Sequence, residues 1–134
     1  MVADWRQFPV LPIGFPASLC QTDRQGGTVM PAIATSFHGQ TVITTFEMTP
    51  ATAEDLMEAL RVAYAECISK QPGFLGAGLH INDARTRICN YSQWRHREDY
   101  QAMLRTPEMR ERNKYINTLC RGFEPVMYEV TGVY

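Results

Sequence analysis

Hydrophobic positions fall into two regimes along this chain. In the first 38 residues they cluster without a period. Trp5, Phe8, Val10, Leu11, Ile13 and Phe15 are interrupted by Pro9, Pro12 and Pro16, with Gly26-Gly27 and Pro31 further on. Proline fixes φ and removes a backbone donor, so "FPVLPIGFP" makes neither a regular helix nor a central strand. A disordered tail would be more polar. Residues 1–38 therefore read as an extended arm whose apolar side chains cover a surface, on this domain or on a partner subunit.

Residues 39–134 are regular and read as one domain. "TVITTFEM" (Thr41–Met48) is rich in β-branched residues and predicts a strand. Thr49-Pro50 predicts a helix start, with Thr52 and Asp55 as a competing capping box. Leu56, Leu60, Ala63 and Cys67 then recur at helical spacing, and the helix is expected to run to about Lys70, stopped by Gln71-Pro72-Gly73. Phe74–Ile81 and Thr86–Trp94 predict two strands joined through Asn82-Asp83-Ala84-Arg85. A short helix carrying Tyr100, Met103 and Leu104 on one face follows. A second starts at Thr106-Pro107, with Met109, Asn113, Ile116 and Cys120 inward and Gly122 as its terminator. Pro125–Val133 predicts the last strand.

The order β-α-β-β-α-(α)-β is the ferredoxin-like split βαβ arrangement of an α+β protein, with helices on one face of an antiparallel sheet. Its strands are apolar on both parities. Val42, Thr44 and Phe46 alternate with Ile43, Thr45 and Glu47, and Val126, Tyr128 and Val130 with Met127 and Glu129. A second sheet face of this kind calls for a partner sheet, so a homodimer is expected.

Composition narrows the function. The net charge of -1 leaves no basic surplus for a phosphate backbone, which argues against nucleic acid. Cys20, Cys67, Cys89 and Cys120 form no C-x-x-C pair, which argues against a zinc site and favours reduced thiols. No apolar run is long enough to cross a membrane, and the N-terminus lacks a signal-peptide pattern. A cytoplasmic protein is expected.

Chemistry concentrates in "CNYSQWRHREDY" (Cys89–Tyr100). Period-two alternation puts Ile88, Asn90, Ser92 and Trp94 on one face, and Arg87, Cys89, Tyr91 and Gln93 on the other. An asparagine and a tryptophan two pleats apart can line a cavity, the amide orienting an oxygen and the indole stacking on a flat ligand and donating its N–H. The plainer reading makes Trp94 and Tyr100 core aromatics and gives Asn90 a backbone partner. His80, in the preceding strand, shares the Asn90 face only if the hairpin loop holds an odd number of residues. His38 and His96 read as surface residues. Most helix arginines are solvated, so Arg110 and Arg112 matter only if one turns inward. No phosphate-binding loop, nucleophile elbow or paired metal-spaced histidines are present.

"PGFLGAGLH" (Pro72–His80), followed by "NYSQW" (Asn90–Trp94) and Tyr100, resembles the antibiotic biosynthesis monooxygenase family of dimeric α/β-barrel proteins. The likeness is greatest to the anthrone oxygenases of actinorhodin-type aromatic polyketide pathways. It spans about residues 40–133 and none of the arm. It implies a pocket lined by Asn90, Trp94, Tyr100 and His80, with Arg112, or else Arg110, as the family's helix arginine. It implies oxidation of an anthrone- or phenol-type planar aromatic substrate to a quinone with O2 and no cofactor, the substrate supplying the electrons. Related barrels imply three alternatives: a reduced-flavin-assisted oxygenase, a cyclase, or a dimer that only binds an aromatic metabolite. Haem degradation is disfavoured. Leu104 stands where an axial histidine is needed, and Thr41–Met48 lacks an asparagine.

Overall fold

The computed structural model describes residues 30–134. Trp5, Phe8, Val10, Leu11, Ile13, Phe15 and Cys20 lie outside the described residues. The elements run β1 (Gln40–Glu47), α1 (Pro50–Glu66), a 3-10 turn (Ile68–Lys70), β2 (Phe74–Ile81), β3 (Arg87–Trp94), α2 (Arg97–Arg105), α3 (Pro107–Leu119) and β4 (Gly122–Tyr128). The four strands pair antiparallel in the order β2-β3-β1-β4, the ferredoxin-like arrangement expected from the pattern. Among the described residues no helix is long and apolar enough to cross a membrane.

Side-chain alternation assigns the two faces of the sheet. Val42, Thr44 and Phe46 of β1 pair with Ser92, Asn90 and Ile88 of β3, and all six are buried under the helices. On the helix layer, Ala53, Leu56, Met57, Leu60 and Ala63 of α1, Tyr100 and Met103 of α2, and Met109 and Ile116 of α3 complete the core. The opposite face carries Ile43, Cys89, Tyr91 and Val126, each half-buried, and the exposed Tyr128.

Several local expectations need correction. Thr49 makes no side-chain cap, and the Thr52–Asp55 box does not form. Pro50 already starts α1 with a compatible φ, and the Thr52 hydroxyl is used elsewhere, donating at 2.7 Å to the last carbonyl of α3, Leu119 O. The α-helix ends at Glu66, and the tighter turn carries the chain to Gly73, whose φ of +83° favours glycine. The last strand starts three residues early and stops at Tyr128. Arg121 N donates to Glu47 O at 2.7 Å, so pairing begins as soon as α3 ends, and Gly122 opens the strand instead of terminating the helix. Pro125 is tolerated because β4 is an edge strand, with a free side for the residue that lacks an N–H. Thr106 does cap α3, accepting from Met109 N at 3.3 Å.

The hairpin is set by Asn82. Its Oδ1 accepts from both Thr86 N and Arg87 N at 2.9 Å, and its Nδ2 donates to Thr86 Oγ1 at 2.9 Å. Arg85 takes a left-handed φ of 56° at the turn. The resulting register pairs Ile81 with Ile88, Leu79 with Asn90 and His80 with Cys89. A bulge between Phe74 and Gly76 then shifts parity, so Phe74 joins Ala77 and Leu79 beneath the helices.

Candidate active site

Beneath the helices, the sheet holds a cavity of about 50 Å³. Its polar lining is Thr44, Tyr64, Asn90, Ser92, Tyr100 and Asn113, and the remainder is apolar, including Phe46, Leu60, Trp94, Met103, Leu104 and Met109. Three of the predicted residues, Asn90, Trp94 and Tyr100, are thus brought together on its wall. Asn90 and Trp94 arrive by strand alternation. Tyr100 arrives because the inward stripe of α2 includes it with Met103.

Tyr64 is the residue that sequence reasoning passed over. Its hydroxyl donates a 2.6 Å hydrogen bond to Asn90 Oδ1. It stands four residues after Leu60 and next to Ala63, at the edge of the stripe assigned to the buried side of α1, so helical spacing brings it over the sheet. Thr44 and Ser92 could be found the same way, by the strand parity they share with Phe46 and Asn90.

Both phenols are held protonated. Burial pushes the Tyr64 pKa well above the usual tyrosine range. The hydrogen bonds with Asn90 and Ser92 oppose the shift, and the nearby Tyr100 adds to it. Burial also raises Tyr100, against a hydrogen bond with Thr44. Among the described residues no histidine, carboxylate, lysine or arginine side chain lines the cavity. Its chemistry is that of neutral donors in an apolar enclosure: phenol, amide and hydroxyl. Among the described residues no three His, Cys, Asp or Glu side chains gather as a metal site.

Trp94 is fully buried. Its ring packs edge-on against Phe74, with centroids 5.3 Å apart, and against Tyr100 at 5.8 Å. The indole N–H donates to Ser92 Oγ at 3.2 Å, so it is spent within the protein and not presented to a ligand. Trp94 forms the back wall of the cavity.

The other predicted residues are elsewhere. The even-numbered hairpin register turns His80 onto the outer face with Cys89, away from Asn90, and the side chain is exposed. Arg112 pairs with Glu66 of α1 at 2.6 Å and with Glu108 at 2.9 Å. The inward stripe of α3 is Met109, Asn113 and Ile116, and Arg112 sits one position, about 100°, off it. Arg110 is exposed. His96 is exposed, 3.3 Å from Asp99, as expected for a surface residue. Cys67, Cys89 and Cys120 are free thiols.

A family profile described as "Antibiotic biosynthesis monooxygenase" matches residues 40–115. The tetracenomycin-F1 monooxygenase of Streptomyces glaucescens is 29% identical over 91 residues, covering 68% of this chain and 80% of its own. The monooxygenase ActVA-Orf6 of Streptomyces coelicolor, solved in complex with Nanaomycin D, is 28% identical. It superposes with a TM-score of 0.64 over 72% of this chain and 90% of its own. SnoaB, a cofactor-independent oxygenase from Streptomyces nogalater, shares the fold at 18% identity, with a TM-score of 0.58 over 71% of this chain and 95% of its own.

Proposed function

The chain belongs to the antibiotic biosynthesis monooxygenase family, and we propose that it oxidises an anthrone- or phenol-type polycycle of aromatic polyketide biosynthesis to a quinone, with O2 and no cofactor. The observation that carries this reading is the cavity beneath the helices in which Asn90, Tyr64 and Tyr100 meet against the wall formed by Trp94. The relatives from S. glaucescens and S. coelicolor support the substrate class.

In the proposed reaction a methylene carbon between two rings loses both hydrogens and gains one oxygen as a carbonyl. The second oxygen of O2 leaves as water. The substrate first gives up a proton, and its carbanion, conjugated to the ring oxygens, passes one electron to O2. The two radicals combine into a C–O–O bond. Protonation and loss of water then leave the quinone.

Among the described residues no lining side chain is a base near neutral pH, so the acidic substrate gives its first proton to water. The neutral groups serve the charge that follows. The Asn90 amide and the Tyr100 phenol donate to the developing oxyanion, and they gain strength from the apolar surround. Both phenols stay protonated at neutral pH and can hydrogen-bond to the departing oxygen, while burial makes them weak acids, so the proton for the leaving water comes from solvent. His80 and Arg112, outside the cavity, take no part within one chain.

The half-buried apolar residues Ile43, Tyr91 and Val126 on the outer face support a homodimer formed through that face. A solution mass equal to one chain would rule it out. The activity is tested by O2 uptake with emodinanthrone in metal-free buffer. The expected result is uptake with growth of the quinone band. Conversion under strict anaerobiosis would instead identify a cyclase, and tight binding without uptake would identify a binding protein.

A further inference from the structure

We propose that the groove between α1 and β2 is the outer binding station and way in for the flat aromatic substrate, and that the Tyr64 ring is the gate between this groove and the inner cavity. The ligand class rests on the functional reading above. The route does not.

Size makes a separate station necessary. A volume of about 50 Å³ holds one or two waters, since a water occupies roughly 30 Å³. With the Tyr64 ring in place it admits no polycycle, and the substrate reaches Asn90 and Tyr100 only when that ring swings aside. The groove beside it measures about 440 Å³, within the range of roughly 300–1,000 Å³ usual for small-molecule sites. Its walls are Arg61, Tyr64, Ala65 and Ser69 from the α1 side, and Phe74, Ala77 and Leu79 from β2.

Continuity selects this groove. Tyr64 lines both the groove and the cavity, and its ring lies 6.0 Å from that of Phe74. Phe74 in turn packs on Trp94, the back wall. Two aromatic rings therefore stand between a flat ligand in the groove and the polar groups inside. The bond that holds the gate is the one from Tyr64 to Asn90 Oδ1. A phenolic hydroxyl of the ligand can take over that acceptor like for like, so opening the gate leaves Asn90 satisfied.

Two other grooves fit less well. The one between α1 and α3 is equally large but sets three carboxylates, Asp55, Glu58 and Glu111, against one arginine, Arg112, which Glu66 and Glu108 already hold, and it shares only the buried Ile116 with the cavity. Carboxylates repel a phenolate. The one beside His38 and Tyr128 shares no side chain with the cavity. Among the described residues Arg61 is the one charged side chain lining the α1–β2 groove, and although it pairs loosely with Glu58 at 3.5 Å and Glu54 at 3.9 Å, its sign suits a phenolic anion.

The test uses the full chain and emodin, a trihydroxyanthraquinone that is already oxidised, so binding is read without turnover. Ala65→Trp and Ala77→Trp fill the groove from opposite walls, and neither residue lines the cavity. Stopped-flow fluorescence is expected to show emodin association slowed at least about tenfold in Ala65→Trp, with Kd raised to match. Tyr64→Ala is expected to speed both association and dissociation. Ala65 is solvent-exposed, so this variant decides the matter even if Ala77→Trp fails to fold. Wild-type association rates in Ala65→Trp, or no emodin binding by the wild type, would overturn the proposal. Blocked binding with no O2 uptake from emodinanthrone by the wild type would keep the groove and discard the oxygenase reading.

Discussion

The Tyr64 hydroxyl on α1 and the Asn90 amide on β3 are joined by a 2.6 Å hydrogen bond across the helix–sheet interface. It links the two layers at the cavity wall. Removing one partner leaves the other buried without its bond, which costs more than the bond itself contributes. Tyr64→Phe is expected to lower stability by about 1–2 kcal/mol, and Asn90→Ala by a similar amount. The double variant is expected to cost less than the sum, with a coupling of about 1 kcal/mol in urea unfolding. Strict additivity would mean that the pair is not coupled in solution.

Alkaline pH should unfold the protein through the same residues. The folded-state pKa values of Tyr64 and Tyr100 are raised, so in this range the unfolded chain loses these protons before the native one does. Their contribution is complete below the unfolded tyrosine pKa of about 10 and is lost as pH rises above it towards the folded values. Spectrophotometric titration at 295 nm is expected to show a late ionisation step that coincides with loss of circular dichroism. That step should shrink in Tyr64→Phe and in Tyr100→Phe. Ionisation of all the phenols before any unfolding would contradict this account.

The strand alternation and helical spacing that made the fold legible also made Asn90, Trp94 and Tyr100 legible, since each lies on a face the pattern defines. His80 was not, because its face depends on loop parity, and parity is decided by the side-chain bonds of Asn82 and by the left-handed Arg85. The outward turn of Arg112 was not legible for a different reason. A residue about 100° off a helical stripe can turn either way, and here Glu66 on the neighbouring helix holds it outside. Tyr64 lay at the edge of a visible stripe, but a tyrosine among leucines and alanines reads as core until its hydroxyl is seen to meet Asn90. The early start of β4 depends on pairing with β1, a contact between residues about 75 positions apart that local pattern does not carry.

Trp94 and Tyr100 touch edge-on but should respond differently to truncation. Trp94→Phe removes the donor to Ser92 and leaves a void in a fully buried site. A loss of about 2–3 kcal/mol is expected, together with a fall in O2 uptake. Tyr100→Phe fills the same space, so stability should change by less than about 1 kcal/mol while turnover falls at least tenfold. The two variants are compared by thermal unfolding and by oxygen-electrode rates on emodinanthrone. Full turnover in Tyr100→Phe would remove it from the catalytic set.

On the outer face, Gln93 holds the segment that precedes β1. Its Oε1 accepts from Ala32 N at 2.8 Å and its Nε2 donates to Ala32 O at 2.7 Å, a reciprocal pair that imitates one rung of a sheet. Gly76 lets the segment approach. A Cβ there would stand 2.8 Å from Pro31 N and 3.0 Å from the Met30 carbonyl carbon, both backbone atoms that cannot swing aside. Gln93→Ala removes the pair and Gly76→Ala pushes the segment off, so both are expected to accelerate hydrogen exchange at the Ala32 amide. The stability cost of Gln93→Ala should be about 1–2 kcal/mol, the net worth of two neutral hydrogen bonds. His80→Ala, on the same face but without a bond to the segment, is the control and should leave Ala32 protected. Unchanged exchange in Gln93→Ala would show that packing, and not this pair, seats residues 30–34 on the sheet.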